Sequence, residues 1–150
     1  MIFNRTQADV DAAKKIRAEK VQNFETLTDE EKNTLERGLL TINTLNRIEV
    51  MQATLPNIFN GMGYWNIQIE NESWDETQIF DVDDFQRIID NTNLLRGAFL
   101  VYSHTPDTPP VSYYYVDINS LEKILNDLDL MINDIKSYYA ECGNYYCGEE

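Results

Sequence analysis

Apolar residues recur at three- and four-residue spacing along much of this chain, the period of helices that bury one face. The clearest run is Leu121, Ile124, Leu125, Leu128, Met131, Ile132, Ile135 and Tyr139, with Glu122, Asp127, Asp129 and Asp134 largely outside the stripe. It predicts a long amphipathic helix over 119–140, about five turns that need a partner surface. Other helices of the chain or the same helix of a second copy can supply it. Leu125, Leu128, Met131, Ile132, Ile135 and Tyr139 are therefore candidate interface residues.

Upstream, Thr6 followed by Gln7-Ala8-Asp9 opens a helix signal. Its rough stripe is Val10, Ala13, Ile16, Val21, Phe24 and Leu27, with Lys14, Lys15, Arg17 and Lys20 facing mostly outward. Thr28-Asp29-Glu30-Glu31 is a capping box with three acids in the positively polarised first turn. Leu35 and Leu39 follow on one face. Gly38 leaves two readings: a stop and a restart at Asn43, or one helix running to about Leu55, where Pro56 predicts an end. A further helix is expected from Asp83 to about Val101, before the breaker stretch His104-Thr105-Pro106-Asp107-Thr108-Pro109-Pro110.

Residues 56–81 lack a helical period. Tyr64 to Glu70 alternates well enough for a short strand, which Val111 to Val116 could pair with. Trp65 and Trp74 are either contact residues for a partner or side chains that lock this loop onto helices. The chain is thus expected to be a single mainly α domain over 1–150, with four to five helices and room for a minor two-stranded segment. Its parts are a helical segment (1–55), an irregular aromatic region with one helix (56–118), the long helix (119–140) and a flexible tail (141–150).

One seven-residue pattern occurs three times: Ile42-Asn43-Thr44-Leu45-Asn46-Arg47-Ile48, Val82-Asp83-Asp84-Phe85-Gln86-Arg87-Ile88 and Ile118-Asn119-Ser120-Leu121-Glu122-Lys123-Ile124. Asn43, Asp83 and Asn119 suit the N-cap position. Leu45/Ile48, Phe85/Ile88 and Leu121/Ile124 share one helical face, and Arg47, Arg87 and Lys123 point away from it. Chance and convergent helix-start chemistry both account for so loose a pattern, and three helix starts are predicted either way.

The formal net charge is −14, and it is unevenly spread. Residues 1–50 hold nine acids and eight bases, and the remainder holds seventeen acids and four bases. Such a surface repels phosphate backbones, so direct nucleic-acid binding is not expected. Solubility, a basic partner, or mimicry of a nucleic acid would each account for the acidity. No run is long and apolar enough for a membrane span, and Met1-Ile2-Phe3-Asn4-Arg5 does not open a secretory signal.

Candidate chemistry is sparse. His104 is the single histidine and has no nucleophile elbow to serve, and the phosphate-loop pattern is missing. Asp81-Val82-Asp83-Asp84 and Asp127-Leu128-Asp129 have spacings reminiscent of calcium ligands, without the glycine and terminal Glu of an EF-hand loop. Cys142 and Cys147 are spaced to close a small disulfide loop under oxidising conditions. These residues predict a non-enzymatic protein without metal or cofactor.

Arg5-Thr6-Gln7-Ala8-Asp9-Val10-Asp11, the Thr28-x-x-Glu31 cap, Glu36-Arg37-Gly38 and Leu45-Asn46-Arg47-Ile48-Glu49 together resemble a segment of phage and prophage tail- or baseplate-associated structural proteins of Gram-positive bacteria. The resemblance covers about residues 4–55, and Trp74 to Asp90 resembles a degenerate copy of the last phrase, with Phe85 and Gln86 in place of Leu and Asn. It implies a virion component made in the host cytoplasm, present as a homo-oligomer and docked to other tail or baseplate proteins. An acidic inhibitor that mimics nucleic acid, encoded by a mobile element, is the alternative from a different class.

Overall fold

The computed structural model describes residues 1–20, 26–61 and 67–142, with side chains as far as residue 138 in the last stretch. Five helices follow one another: α1 (Gln7–Lys20), α2 (Asp29–Gly38), α3 (Ile42–Gly61), α4 (Val82–Ala98) and α5 (Tyr115–Cys142). The fold is mainly α, with a long last helix.

Helices α1 and α2 form an antiparallel hairpin. Thr6 and Asp9 cap the first helix reciprocally, and Thr28 and Glu31 form the expected capping box on the second. Arg37 Nε meets Asp9 Oδ1 at 3.3 Å at one end, and Lys20 Nζ lies 3.6 Å from Glu31 Oε1 at the other. Gly38 settles the choice between one helix and two. A Cβ there would collide with the Asp9 carbonyl oxygen and the Ala13 methyl, so glycine permits the close approach of the two backbones. The helix stops at this glycine, Leu39 is extended, and α3 begins after Thr41.

The core lies among α3, α4 and α5. Leu45, Ile48, Leu55 and Phe59 from α3 meet Phe85, Ile88, Ile89 and Leu95 from α4 and the Leu121–Ile132 stripe of α5, all buried. Each such side chain contributes roughly 1.5–3 kcal/mol by leaving water. Glu49–Arg87, Gln52–Asn91 and Gln52–Thr92 join residues 38, 39 and 40 positions apart, so α3 and α4 run in the same direction. Phe85 packs on Tyr113 just before α5, while Tyr102, just after α4, reaches Asp134 late in α5, which makes this pair parallel too. The spacing of 40 between the first two sequence patterns is thus nearly the register in which their helices pack.

Parallel helices need return segments, and the first runs extended along helices in its described part. Residues 67–74 pass back beside α3, held first by Asn60, which bonds both N–H and C=O of Ile67. Glu49 next accepts from the Glu72 N–H, and Asn46 then bonds both N–H and C=O of Trp74. Arg87 and Asn91 of α4 donate to the Glu70 carbonyl from the other side. Side-chain amides and a carboxylate therefore do the work of a neighbouring strand. Of the expected strand Tyr64 to Glu70, residues 64–66 lie outside the described residues and 67–70 form no strand; none occurs among the described residues, and Tyr115 and Val116 already belong to α5.

Helix boundaries need four further corrections. The α3 start is capped by Thr41, whose hydroxyl accepts from the Thr44 N–H at 3.3 Å, and Asn43 is an exposed residue inside the helix. Asp81, not Asp83, caps α4, in a capping box with Asp84. Helix α5 begins four residues before Asn119, whose amide accepts from the Arg5 N–H at 3.2 Å and donates to the Arg5 carbonyl at 3.0 Å. Nor does α3 end at Leu55. It continues through Pro56 to Gly61, since Leu55, Pro56 and Phe59 are all buried and Phe59 stacks on Phe99 at 4.6 Å. That packing offsets the missing hydrogen bond.

Candidate interaction surface

The cations of the three patterns are not idle surface charges. Arg47 Nε donates to Glu122 Oε1 at 2.8 Å, Arg87 Nη2 donates to Glu49 Oε1 at 2.7 Å, and Lys123 pairs with Asp127. All three acids are buried, so each cation balances a charge that the core could not otherwise hold. Burial alone would lower the Arg47 pKa, but the Glu122 and Glu36 carboxylates outweigh it and hold the guanidinium above its ordinary value. Arg87 is raised chiefly by its hydrogen bonds to Glu49.

Glu122 also pairs with Arg5, whose side chain is 2% exposed. Arg5 Nε and Nη2 are buried without a partner among the described residues. Together with the Arg47–Glu36 pair at 2.6 Å, this cluster ties the α1–α2 hairpin to α3 and α5. Arg5, Glu36, Arg47 and the Gly38 approach all belong to the phrases that carry the sequence resemblance, so those phrases build one connected substructure.

Leu125, Leu128 and Ile132 are fully buried against this chain's own helices, which removes them as an interface with another copy. Met131 and Ile135 are half-buried. The stripe's partner is intramolecular because α3 and α4 already cover it. Trp74 is likewise a core residue: its Nε1 donates to Glu49 at 3.2 Å and its ring packs edge-on against Phe80. The side chains of Tyr139 and Cys142, and all of Trp65 and Cys147, lie outside the described residues. Asp81 and Asp84 serve as helix caps, and Asp127 is occupied by Lys123 and Thr105. No group of three His, Cys, Asp or Glu side chains able to hold a metal occurs among the described residues. None of the described helices is long and apolar enough to cross a membrane.

What remains unpartnered is a different surface. Phe80 packs edge-on against Tyr113, with ring centroids 6.1 Å apart. Around that contact stand Ile79 and Val82 from the α4 approach, and Tyr113, Tyr114 and Val116 from the α5 start, all exposed. Ile79 is 88% and Tyr114 76% exposed. Beside them a cleft of about 320 Å³ opens between the hairpin and α5. Arg5 and Lys14 line it, with Leu39 and Leu40 and the three tyrosines 113–115, and no acid contributes to its wall. In a chain of net charge −14 this is a local reversal of sign.

Val111 to Val116 read as an extended segment able to pair with Tyr64 to Glu70, so the sequence did not mark these tyrosines as a surface. The signal available was the acidic turn ahead of Ile79, where a strongly apolar residue sits between Gln78 and Phe80 without a helical or strand period. No protein-family model, curated protein or solved structure matches the chain.

Proposed function

We propose that this protein is a non-enzymatic component of a phage tail or baseplate, an adaptor that binds other virion proteins and assembles with copies of itself. The observation that carries this reading is the exposed apolar surface of Ile79, Val82, Tyr113, Tyr114 and Val116 beside the cleft. Clustered exposed apolar side chains in a folded domain mark contact surfaces. The buried ionisable groups support a structural role, since Glu49 and Glu122 are engaged in ion pairs that join elements of the fold, and Asp127 pairs with Lys123 within α5. The resemblance to tail-associated proteins gives the setting, and its residues are those that fix the hairpin to the helical core.

Mass spectrometry of gradient-purified particles tests the proposal. The expected result is the protein in the particles at a copy number matching the rotational symmetry of the tail. Its contacts there should bury about 1,000 Å² or more in total. Absence from particles, with the protein left in the soluble lysate, overturns the adaptor reading and favours an acidic inhibitor of a basic partner.

A further inference from the structure

We infer that the surface around Phe80 and Tyr113 is self-complementary: the acidic turn at residues 75–79 of one copy enters the cationic cleft of a second, and the second returns the contact. The inference rests on the self-assembly part of the proposed function and assigns it a place and a geometry.

The turn has the form of a preset knob. Asp75 Oδ1 accepts from the Thr77 N–H at 2.8 Å and from its hydroxyl at 2.6 Å, while Gln78 Oε1 accepts from the Asp75 N–H at 2.8 Å. These bonds fix the turn before any partner arrives, which lowers the entropy lost on docking. At its tip Glu76 is exposed and makes no hydrogen bond or ion pair with the described residues. Ile79, the most exposed of the large apolar side chains described, closes the turn. The knob thus offers one unpaired carboxylate and one bare aliphatic group a few residues apart.

The cleft offers the converse. Lys14 lines it and Arg17 follows one helical turn later, both exposed on α1 and neither paired with a described residue. Leu39 and Leu40 provide apolar wall, and Arg5 has two buried donors without acceptors. An acid entering here meets the Lys14 ammonium, and Ile79 meets leucine and tyrosine.

Knob and cleft are also neighbours on one molecule, joined by the Phe80–Tyr113 contact. A patch that holds both halves of a contact side by side satisfies the condition for a two-fold interface, in which each copy gives and receives the same element. The expected product is a symmetric dimer.

Sedimentation velocity of the full chain, over a range of protein and salt concentrations, provides the test. The wild-type chain should dimerise reversibly, and added salt should weaken the dimer. Lys14→Glu and Glu76→Lys each place two like-charge contacts in their own homodimer, and each should weaken it by about tenfold or more. An equimolar mixture of these two variants should recover the dimer. In the mixed pair one contact is wild type and the other is the same ion pair reversed. Ile79→Ser should weaken the dimer with an unchanged helical circular dichroism spectrum, because the replaced side chain is almost wholly in solvent. A wild-type chain that stays monomeric overturns the inference, as do variants that dimerise like wild type or a mixture no tighter than its components. Particle composition is a separate readout. A monomer found in particles would leave the adaptor reading standing, and a dimer absent from particles would leave this contact standing.

Discussion

Replacing Glu122 with Gln should be among the most damaging conservative changes in this protein. Its carboxylate is fully buried and serves two guanidiniums, Arg5 and Arg47. Arg47 keeps a second acid, since Glu36 Oε1 lies 2.6 Å from its Nη1. Arg5 keeps none. Its remaining acceptors are the Ile2 carbonyl and the Asn119 amide oxygen, which are neutral. Breaking a buried pair from one side costs about 3–5 kcal/mol, because the surviving charge stays in a poor solvent. Against a total stability of about 5–15 kcal/mol for a single domain, that is a large share. Arg47→Met should cost less, about 1.5–3 kcal/mol, as Glu122 then still has Arg5. The double variant Arg5→Met with Glu122→Leu should recover much of the loss, since it leaves no lone charge. Urea denaturation followed by circular dichroism measures all three. A Glu122→Gln loss below about 1 kcal/mol, or a double variant no better than the single, would refute the account of this cluster as a buried charge balance.

Gly38→Ala gains about 1 kcal/mol of helix propensity but forces a methyl into the Asp9 backbone, an overpacking cost of about 1–3 kcal/mol or more. A lower urea midpoint is expected, and an unchanged or higher one would refute the close α1–α2 approach. Leu128→Asp combined with Ile132→Asp places two carboxylates at fully buried positions, so cooperative thermal unfolding should disappear; a retained sharp melt would contradict the placement of α5. Tyr102 donates to Asp134, and that hydrogen bond, with smaller contributions from burial and nearby carboxylates, pushes the phenol from 10.0 up to about 12. The raised value means that the bond's contribution to stability is complete below pH 10 and is lost as pH rises through about 12. Ultraviolet titration should show a late Tyr102 phase that returns to the ordinary range in Asp134→Asn, and an unshifted titration would remove the hydrogen bond.

The sequence by itself determined the class of fold and most of the helices, because helix signals are local. A capping box such as Thr28–Glu31 and a stripe such as Leu121 to Ile132 depend on residues within a few turns of one another. It also marked Leu45/Ile48, Phe85/Ile88 and Leu121/Ile124 as one buried face repeated three times, and all six side chains lie in the core. Only the tertiary structure decided what those helices do to one another. Glu122 and Asp127 read as acids outside a one-dimensional apolar stripe, yet they are buried, as is Glu49. Arg87, Arg47 with Arg5, and Lys123 make that burial tolerable; the first three of these cations come from other elements of the chain, and Lys123 from one turn earlier on α5. Residues 64–70 read as a strand because they alternate, and their described part, 67–70, belongs to an extended return at 67–74. Its backbone partners turned out to be Asn46, Glu49, Asn60, Arg87 and Asn91 on helices. Whether Gly38 divides two helices likewise depended on a contact with Asp9 and Ala13, far off along the chain. The exposed surface at Ile79 and Tyr114 was the least legible feature, since exposure is what remains after every other apolar side chain has found its place.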